Sequence, residues 1–319
     1  MADLRRAAFI NPGRDLAGGV DLARRAEALG YDSVWVTHGS GRDSFVVLAA
    51  YGAATTRLRL GNGVVPIYPR HPVTMAQAAL TLSEMTAGRF ILGVGVSHRA
   101  SMEAGLGLNL REPLAVMREY VAVLRGAVDG TAKFEGRHYR VNWSLAVPER
   151  PPAPPIYLAA LSRNMIELAG EIADGVVLWL CSPGYVRDVA MPALQRGRAR
   201  AGKTMAGFEV VAAVPLAISD DAPAALTAFR GELSRYLTLP FYRAMLESSG
   251  LGKELATFDR SGEVAEPLPR ALGGVGAPEA GRAFVQAYRD AGVTLPAIRP
   301  ITFPDASWYR RTLEEASRW

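Results

Sequence analysis

Cysteine is almost absent from this sequence of 319 residues, and histidine is rare. The single cysteine, Cys181, excludes an internal disulfide and a metal site built from several cysteines. The four histidines lie at positions 38, 71, 98 and 138, too far apart for a local metal motif such as HExxH. We therefore expect no metal site.

Lysine and long apolar runs are scarce as well. Lysine occurs only at positions 133, 203 and 253, so the net charge of +5 comes from arginines that are interspersed with acidic residues. Positive charge scattered in this way argues against a nucleic-acid surface. No stretch reaches the roughly 18 consecutive apolar residues of a membrane span, and residues 1–10 lack the apolar region of a signal peptide. We expect a cytoplasmic protein that binds neither nucleic acid nor a membrane.

Short apolar runs recur along the chain, and each is followed by a segment whose apolar residues have helical spacing. The eight runs are AAFIN (7–11), DSVWVTH (32–38), LRLGNGVV (58–65), RFILGVGV (89–96), IYLAAL (156–161), GVVLWL (175–180), FEVVAAVPLAI (208–218) and LPAIRPI (295–301). Strands that alternate with helices in this number favour an α/β fold, a closed (β/α)8 TIM barrel. We expect one such domain over residues 1–319.

Two segments depart from this alternation. Residues 131–155 contain a turn at Glu135-Gly136 and a proline cluster, which indicates a surface excursion such as a hairpin. Residues 219–277 are too long for one connection and contain helical pieces, so we expect a helical insertion after the seventh strand that shapes an entrance. A last helix is predicted at 304–317.

Glycines cluster where the third and fourth strands end, at Gly61, Gly63, Gly93 and Gly95. Glycine adds no packing to a strand and raises the entropy cost of ordering it. Two explanations remain open from spacing alone. A flat ligand lies on this backbone, or the glycines allow a bulge at a corner of the barrel.

The carboxyl ends of the strands are where a barrel of this class places its active site, so the residues there are candidates. His38 ends the second strand and is the favoured functional histidine. His98 follows the fourth strand, whereas His71 precedes a proline at a helix start and is expected to cap it. Trp179 is expected to pack in the core, and Cys181 has no base that the sequence pairs with it.

Three stretches carry a resemblance to a known family, and together they cover much of the chain. They are AEALGYDSVWVTH (26–38), RLRLGNGVVPIYPRHPVTMAQAALTLSEMTAGRFILGVGVS (57–97) and PPIYLAALSRNMIELAGEIADGVVLW (154–179). The chain resembles the luciferase-like flavin- and deazaflavin-dependent oxidoreductase superfamily. It is most similar to the coenzyme F420-dependent branch, which includes methylene-tetrahydromethanopterin reductase, because the third stretch resembles that branch more than the phosphate loop of FMN monooxygenases.

The resemblance implies a non-prolyl cis peptide between Gly63 and Val64 that supports the cofactor ring. It also implies that His38 either donates a proton or only hydrogen-bonds the ring. Members of the branch often have an acidic residue where this chain has Thr37, and Gly-Pro-Lys where it has residues 162–164, so Arg163 would replace a lysine. The implied cofactor-binding residues are Thr37, His38, Gly63, Val64, Val65, Gly95, Val96, Ser97, Ala159, Ala160 and Leu161.

Substrate contacts are expected from Asn11 and from Arg299 near the end of the eighth strand. Arg299 would meet an anionic substrate or form a salt bridge, and the sequence leaves both open. The resemblance further implies a homodimer. It predicts an F420-dependent oxidoreductase that transfers a hydride between reduced deazaflavin and an imine or activated C=C of a small organic substrate. The alternatives are an FMN-dependent monooxygenase served by a separate reductase, and a catalytically inactive barrel.

Overall fold

The computed structural model describes residues 5–301 and 307–319. Its strands are β1 (Ala7–Phe9), β2 (Ser33–Val36), β3 (Arg59–Asn62), β4 (Val65–Pro66), β5 (Phe90–Gly95), β6 (Thr131–Glu135), β7 (Arg140–Ser144), β8 (Ile156–Ala159), β9 (Gly175–Leu178), β10 (Glu209–Ile218), β11 (Gly274–Gly276) and β12 (Leu295–Pro300).

Helices connect these strands. They are α1 (Leu16–Ala28), α2 (Ser44–Ala54), α3 (Pro72–Met85), α4 (Pro113–Val128), α5 (Arg163–Ile172), α6 (Pro183–Tyr185), α7 (Met191–Arg200), α8 (Ala222–Tyr236), α9 (Pro240–Ser248), α10 (Gly252–Ser261), α11 (Pro267–Leu272), α12 (Pro278–Asp290) and α13 (Ser307–Ala316). A π-helical turn at Val186–Ala190 joins α6 to α7, and another lies at Ala100–Ala104.

Eight parallel strands form a closed ring in the order β1, β2, β3, β5, β8, β9, β10, β12. Ala7 of β1 lies opposite both Ser33 of β2 and Ala297 of β12. The ring is complete because β9 also pairs with β10, with Gly175 opposite Glu209. The predicted (β/α)8 barrel is confirmed, and the antiparallel pair β6–β7 forms the expected hairpin outside it.

Alternate side chains of the strands face two different cores. The interior of the barrel is filled by a small cluster that includes Phe9, Trp35, Ile91 and Tyr157. The larger cluster lies between the strands and the surrounding helices. Phe9 and Trp35 contact each other at 6.4 Å between ring centroids, so the barrel is a packed core rather than a channel.

The glycines of the third and fourth strands are explained in large part by this interior packing. A Cβ added to Gly61 would lie 2.4 Å from the Trp35 ring, and one added to Gly63 would lie 2.4 Å from the Phe9 ring. At Gly93 it would lie 2.0 Å from the carbonyl oxygen of Asn62. The protein's own atoms therefore occupy the space that a side chain would need at these positions.

The structure differs from the predicted elements in a few places. The predicted strand 58–65 is two strands, β3 and β4, and the peptide bond between Gly63 and Val64 is cis, as the resemblance implied. The short strand β11 was not predicted, because Gly274–Gly276 has no apolar run. Four helices, α8 to α11, occupy the long segment between β10 and β11. The predicted helix 304–317 is α13, and residues 304–306 lie outside the described part of the chain.

Candidate active site

A cavity of about 470 Å3 opens at the carboxyl ends of β2, β3, β5, β8 and β9. Residues of the insertion helices complete its wall. Its lining consists of Thr37, His38, Gly39, Gly63, Val64, Pro66, Gly95, Val96, Ser97, His98, Ser101, Pro113, Leu114, Ala159, Ala160, Leu161, Ser162, Asn164, Met165, Val177, Trp179, Tyr236, Leu239, Phe241 and Tyr242. This is the end of the barrel at which enzymes of the fold carry their chemistry.

Ten residues that the sequence assigned to the cofactor lie together in this lining: Thr37, His38, Gly63, Val64, Gly95, Val96, Ser97, Ala159, Ala160 and Leu161. The ends of β3, β5 and β8 meet closely there. A Cβ added to Gly95 would lie 2.8 Å from Val64 Cγ2 and 3.1 Å from Ala159 Cβ. Gly95 therefore allows Val64 and Ala159 to approach each other and form a smooth, apolar floor.

Val65 and Asn11 are placed differently from this group. Val65 has no solvent exposure and belongs to the core between the strands and the helices. The Asn11 side chain accepts hydrogen bonds through Oδ1 from the Thr37 N–H at 2.9 Å and from the Thr37 hydroxyl at 3.0 Å. Neither residue is part of the lining, and the contact of Asn11 is with a residue that is.

Arg299 also lies outside the lining, which corrects the expectation that it contacts an anionic substrate. Its guanidinium forms an ion pair with Glu232 of α8 and lies 5.0 Å from the centroid of the Trp179 ring. Burial lowers the pKa of Arg299 to about 10, so the group stays cationic at neutral pH and requires its counterion. Arg299 takes the salt-bridge role that the sequence left open.

His38 is held by hydrogen bonds from the start of α2. Its Nδ1 lies 2.9 Å from Ser44 Oγ and accepts from the Ser44 N–H at 3.3 Å. Asn62 Nδ2 donates to the same Oγ at 2.7 Å, so the Ser44 hydroxyl proton is directed to the histidine. Because Nδ1 is an acceptor in this network, the proton of the neutral ring resides on Nε2. Burial lowers the pKa of His38, which favours that neutral form.

A row of aromatic side chains forms one wall of the cavity, and the sequence did not predict these residues as a group. Trp179 follows β9, and the insertion contributes Tyr236 of α8 and Tyr242 of α9. Trp179 lies 6.4 Å from Tyr236, and Tyr236 lies 5.0 Å from Tyr242, measured between ring centroids. We call these three residues the aromatic wall. Trp179 also packs edge-on against Phe9 at 5.2 Å, so its expected core contact is present alongside its place in the cavity.

Polar groups of the cavity cluster beside the amino end of α5 and the end of β5. Ser162 caps α5 by accepting a hydrogen bond from the Met165 N–H at 3.3 Å. Ser97 has a left-handed backbone with φ of 63°, and His98 next to it packs against Tyr242 at 5.5 Å. The buried Nδ1 of His98 has no hydrogen-bond partner within the described residues, and burial lowers the pKa of this histidine.

The other histidine and the cysteine that the sequence considered are not in the lining. His71 caps α3, because its Nδ1 accepts from the Val73 N–H at 3.3 Å, which confirms the expected capping role. Cys181 is buried, and burial raises the pKa of its thiol to about 12. A thiol of this kind is not a nucleophile at neutral pH.

Comparison with known proteins identifies the family. A model described as luciferase-like monooxygenase matches residues 2–295, and the chain belongs to this family. An uncharacterised protein of Mycobacterium tuberculosis is 35% identical over 264 residues, which cover 78% of this chain and 77% of the relative. The 5,10-methylenetetrahydromethanopterin reductase of Methanolobus tindarius is 28% identical over 286 residues, which cover 85% and 86% of the two chains. Homologues thus include reductases of the type that the resemblance named.

Solved structures share the fold over nearly the whole chain. The coenzyme F420-dependent tetrahydromethanopterin reductase from Methanopyrus kandleri has a TM-score of 0.80 and 21% identity, covering 99% of this chain and 98% of that one. The oxygenating constituent of 3,6-diketocamphane monooxygenase from Pseudomonas putida, solved with FMN, has a TM-score of 0.75 and 18% identity, covering 99% and 97%. At 21% and 18% identity, these structural similarities support the fold. They do not determine which cofactor this chain binds.

Neither a cluster of metal ligands nor a membrane-spanning helix is found among the described residues. No group of three or more histidine, cysteine, aspartate or glutamate side chains there is arranged to hold a metal ion. Likewise, none of the helices in residues 5–301 and 307–319 has the length and hydropathy to cross a membrane.

Proposed function

We propose that the protein is an F420-dependent oxidoreductase that transfers a hydride between reduced deazaflavin and an electrophilic carbon of a small organic substrate. The observation that carries the proposal is the cavity at the strand ends, where ten residues matched to the F420-dependent branch line one continuous surface. The relatives named as methylenetetrahydromethanopterin reductases support the choice of cofactor.

The lining suits a flat ring that carries a polar tail. Gly63, Val64 and Gly95 form an apolar floor, because neither glycine has room for a side chain. Ser97, Ser162 and the Nδ1 of His98, which has no partner in the described part of the chain, offer hydrogen-bonding groups at one end. We assign these residues to the cofactor, with Thr37, Val96, Ala159, Ala160 and Leu161. When bound, a reduced deazaflavin supplies a hydride.

His38 is the residue of the cavity best placed to manage a proton. Its Nδ1 is occupied by Ser44, so the Nε2–H is the group that it offers to a bound molecule. A neutral histidine in this tautomer donates a hydrogen bond to a carbonyl oxygen or to the ring, and it can transfer the proton when the oxygen or carbon becomes basic. Ser44 and Asn62 hold the imidazole in this orientation.

The aromatic wall excludes water from the reacting carbon. Tyr236 and Tyr242 stand on helices of the insertion, and Leu239 between them also lines the cavity. Exclusion of water strengthens the hydrogen bond that His38 offers and holds the substrate against the floor.

An FMN-dependent monooxygenase is the second candidate. It is favoured by the fold likeness to the FMN-bound oxygenating constituent from Pseudomonas putida and by the name of the family model. Such an enzyme would need a separate reductase to supply reduced flavin.

A parallel titration of the purified protein with F420 and with FMN, followed by quenching of each cofactor's fluorescence, separates the two candidates. We expect F420 to bind more tightly. Tighter binding of FMN, with oxygen-dependent turnover, would replace the proposal by the second candidate. Alanine-to-valine substitution at Ala159 should weaken the favoured cofactor, whereas the same change at the exposed Ala53 of α2 should not.

We also propose that the protein forms a homodimer through α2 and α3. Val46 of α2 and Met85 of α3 are large apolar side chains that are mostly exposed, which is unfavourable for a lone chain. Light scattering of the native protein and of a Val46→Glu/Met85→Glu variant tests this. A dimer that the variant converts to monomers supports the assignment, and a native monomer contradicts it.

A further inference from the structure

Among the residues that the structure describes, the lining of the cavity contains no formally charged side chain, although 21% of the chain is charged. Its titratable members are His38, His98, Tyr236 and Tyr242. Burial lowers the pKa of both histidines and raises the pKa of both tyrosines, so all four are neutral near pH 7. The cavity therefore has hydrogen-bonding groups without an ionic partner for a charged ligand.

Two charges behind the lining, those of Arg299 and Asp43, are each paired with a counterion. Arg299 lies over the Trp179 ring and is paired with Glu232. Asp43, which precedes α2 close to His38, is paired with Arg70. These pairs offset the charges behind Trp179 and His38, and the exposed Arg235 near Tyr236 is not part of the lining.

Part of the mouth of the cavity is apolar as well. Leu114 at the start of α4 is 37% exposed and Phe241 of α9 is 39% exposed, and both belong to the lining. Exposed apolar side chains at the rim of a pocket mark a surface that binds apolar ligands. With the aromatic wall behind them, they form a continuous apolar path from solvent to the floor.

We propose that the substrate is an uncharged α,β-unsaturated carbonyl compound with an aromatic or alkyl substituent, which rests on the aromatic wall while its oxygen accepts a hydrogen bond from His38. This assignment rests on the proposed function, since it takes the substrate to share the cavity with the cofactor. An ionised carboxylate held against the aromatic wall would lose its hydration without gaining a cation from the described lining. The anionic tail of the cofactor is assigned instead to the polar end at Ser97 and Ser162, beside the exposed Arg163. An imine activated as its cation would equally find no anion, which favours the activated C=C over the imine.

Three probes that share one styryl group test the assignment. They are 4-phenylbut-3-en-2-one, which is neutral, trans-cinnamate, which is an anion, and cinnamylammonium, which is a cation. Calorimetric titration measures the binding of each probe to the protein, once alone and once with oxidised F420, which cannot supply a hydride. We expect the ketone to bind at least about tenfold more tightly than either ion in at least one of the two conditions, because unpaired burial of an ion is costly.

A charge placed at the mouth provides a matched control. Leu114→Lys should strengthen the binding of cinnamate and weaken that of cinnamylammonium, by about threefold to tenfold each. Leu114→Gln, which is similar in size and neutral, should leave the ratio of the two ions unchanged. This pair separates an electrostatic effect from a change of shape at the mouth.

The relative affinities of the three probes decide whether the assignment stands. Binding of either ion as tight as that of the ketone overturns the assignment, and so does a failure of all three probes to bind in both conditions. Because the probes are measured without turnover, their binding does not depend on hydride transfer. If the ketone is preferred while F420 does not bind, the proposed function fails and the substrate class stands. If F420 binds and an ion is preferred over the ketone, the proposed function stands and the assignment of an uncharged substrate fails.

Discussion

Replacing Glu232 by glutamine removes the counterion of a guanidinium that the fold has buried. The side chain of Arg299 is 16% exposed and that of Glu232 is 9% exposed, and they form an ion pair between β12 and α8. The pKa of Arg299, lowered by burial to about 10, still leaves the group charged at pH 7. Glu232→Gln therefore leaves an uncompensated cation between the barrel and the insertion.

The magnitude follows from the burial of both partners. Breaking a buried ion pair on one side typically costs about 3–5 kcal/mol. Because unfolding entropy is about 2.1 cal/mol/K per residue, a loss of about 4 kcal/mol in a chain of 319 residues lowers Tm by about 6 °C. The double variant Glu232→Leu/Arg299→Met replaces both charges by apolar groups and should recover most of this loss.

Differential scanning calorimetry of the three proteins at pH 7 measures the change. The control is Glu266→Gln, which breaks the pair with Arg270 on the surface of α11, where the two side chains are 52% and 68% exposed. Screening by water makes its effect much smaller than that of Glu232→Gln. Equal falls in Tm for Glu232→Gln and Glu266→Gln, or a double variant as unstable as the single one, would refute the reasoning.

Further predictions concern packing, pH and the thiol. Gly93→Ala would place a Cβ 2.0 Å from the Asn62 carbonyl oxygen. This substitution should lower the free energy of unfolding, measured by urea titration, by about 1–3 kcal/mol. Gly231→Ala in α8 meets nothing within 4 Å and should be neutral or stabilise by up to about 1 kcal/mol, so equal losses at both sites would contradict the packing argument. Burial lowers the pKa of His98, so the unfolded chain binds a proton at higher pH than the folded one, and stability falls as pH drops below about 6.5. The urea midpoint of His98→Gln should fall less between about pH 7 and pH 5 than that of the native protein, and identical slopes would exclude this histidine as the cause. Cys181, whose pKa burial raises to about 12, should react with a disulfide reagent far more slowly in the native protein than in urea, and comparable rates would show an open path to it.

The barrel was predictable because its evidence is local. Each strand is a short apolar run followed by a helical period, and helices begin at residues such as His71 and Ser162 that cap them. The predicted ends of the strands were less accurate than their number and order. The run 58–65 reads as one strand, yet the chain departs from the ladder at Gly63, and hydrophobicity gives no sign of that interruption.

The candidate site was predictable on one side only. Residues at strand ends, such as Thr37 and Gly95, are brought together by the parallel barrel itself, so their meeting follows from the fold. Tyr236 and Tyr242 stand in a long connection whose path no periodicity reveals. For Arg299, the sequence shows a charge near a strand end but does not show that Glu232, 67 residues earlier, reaches it.

The division of the cavity between strand ends and insertion helices has an evolutionary consequence. The floor is encoded by residues that also close the barrel, so a change at Gly63 or Gly95 disturbs the packing of Phe9 or Val64. Tyr236 and Tyr242 of the aromatic wall belong to the insertion, which supplies none of the eight strands of the ring, and loops on such scaffolds tolerate replacement. Selection can therefore exchange the molecules that enter the cavity while the chemistry performed on them is inherited unchanged.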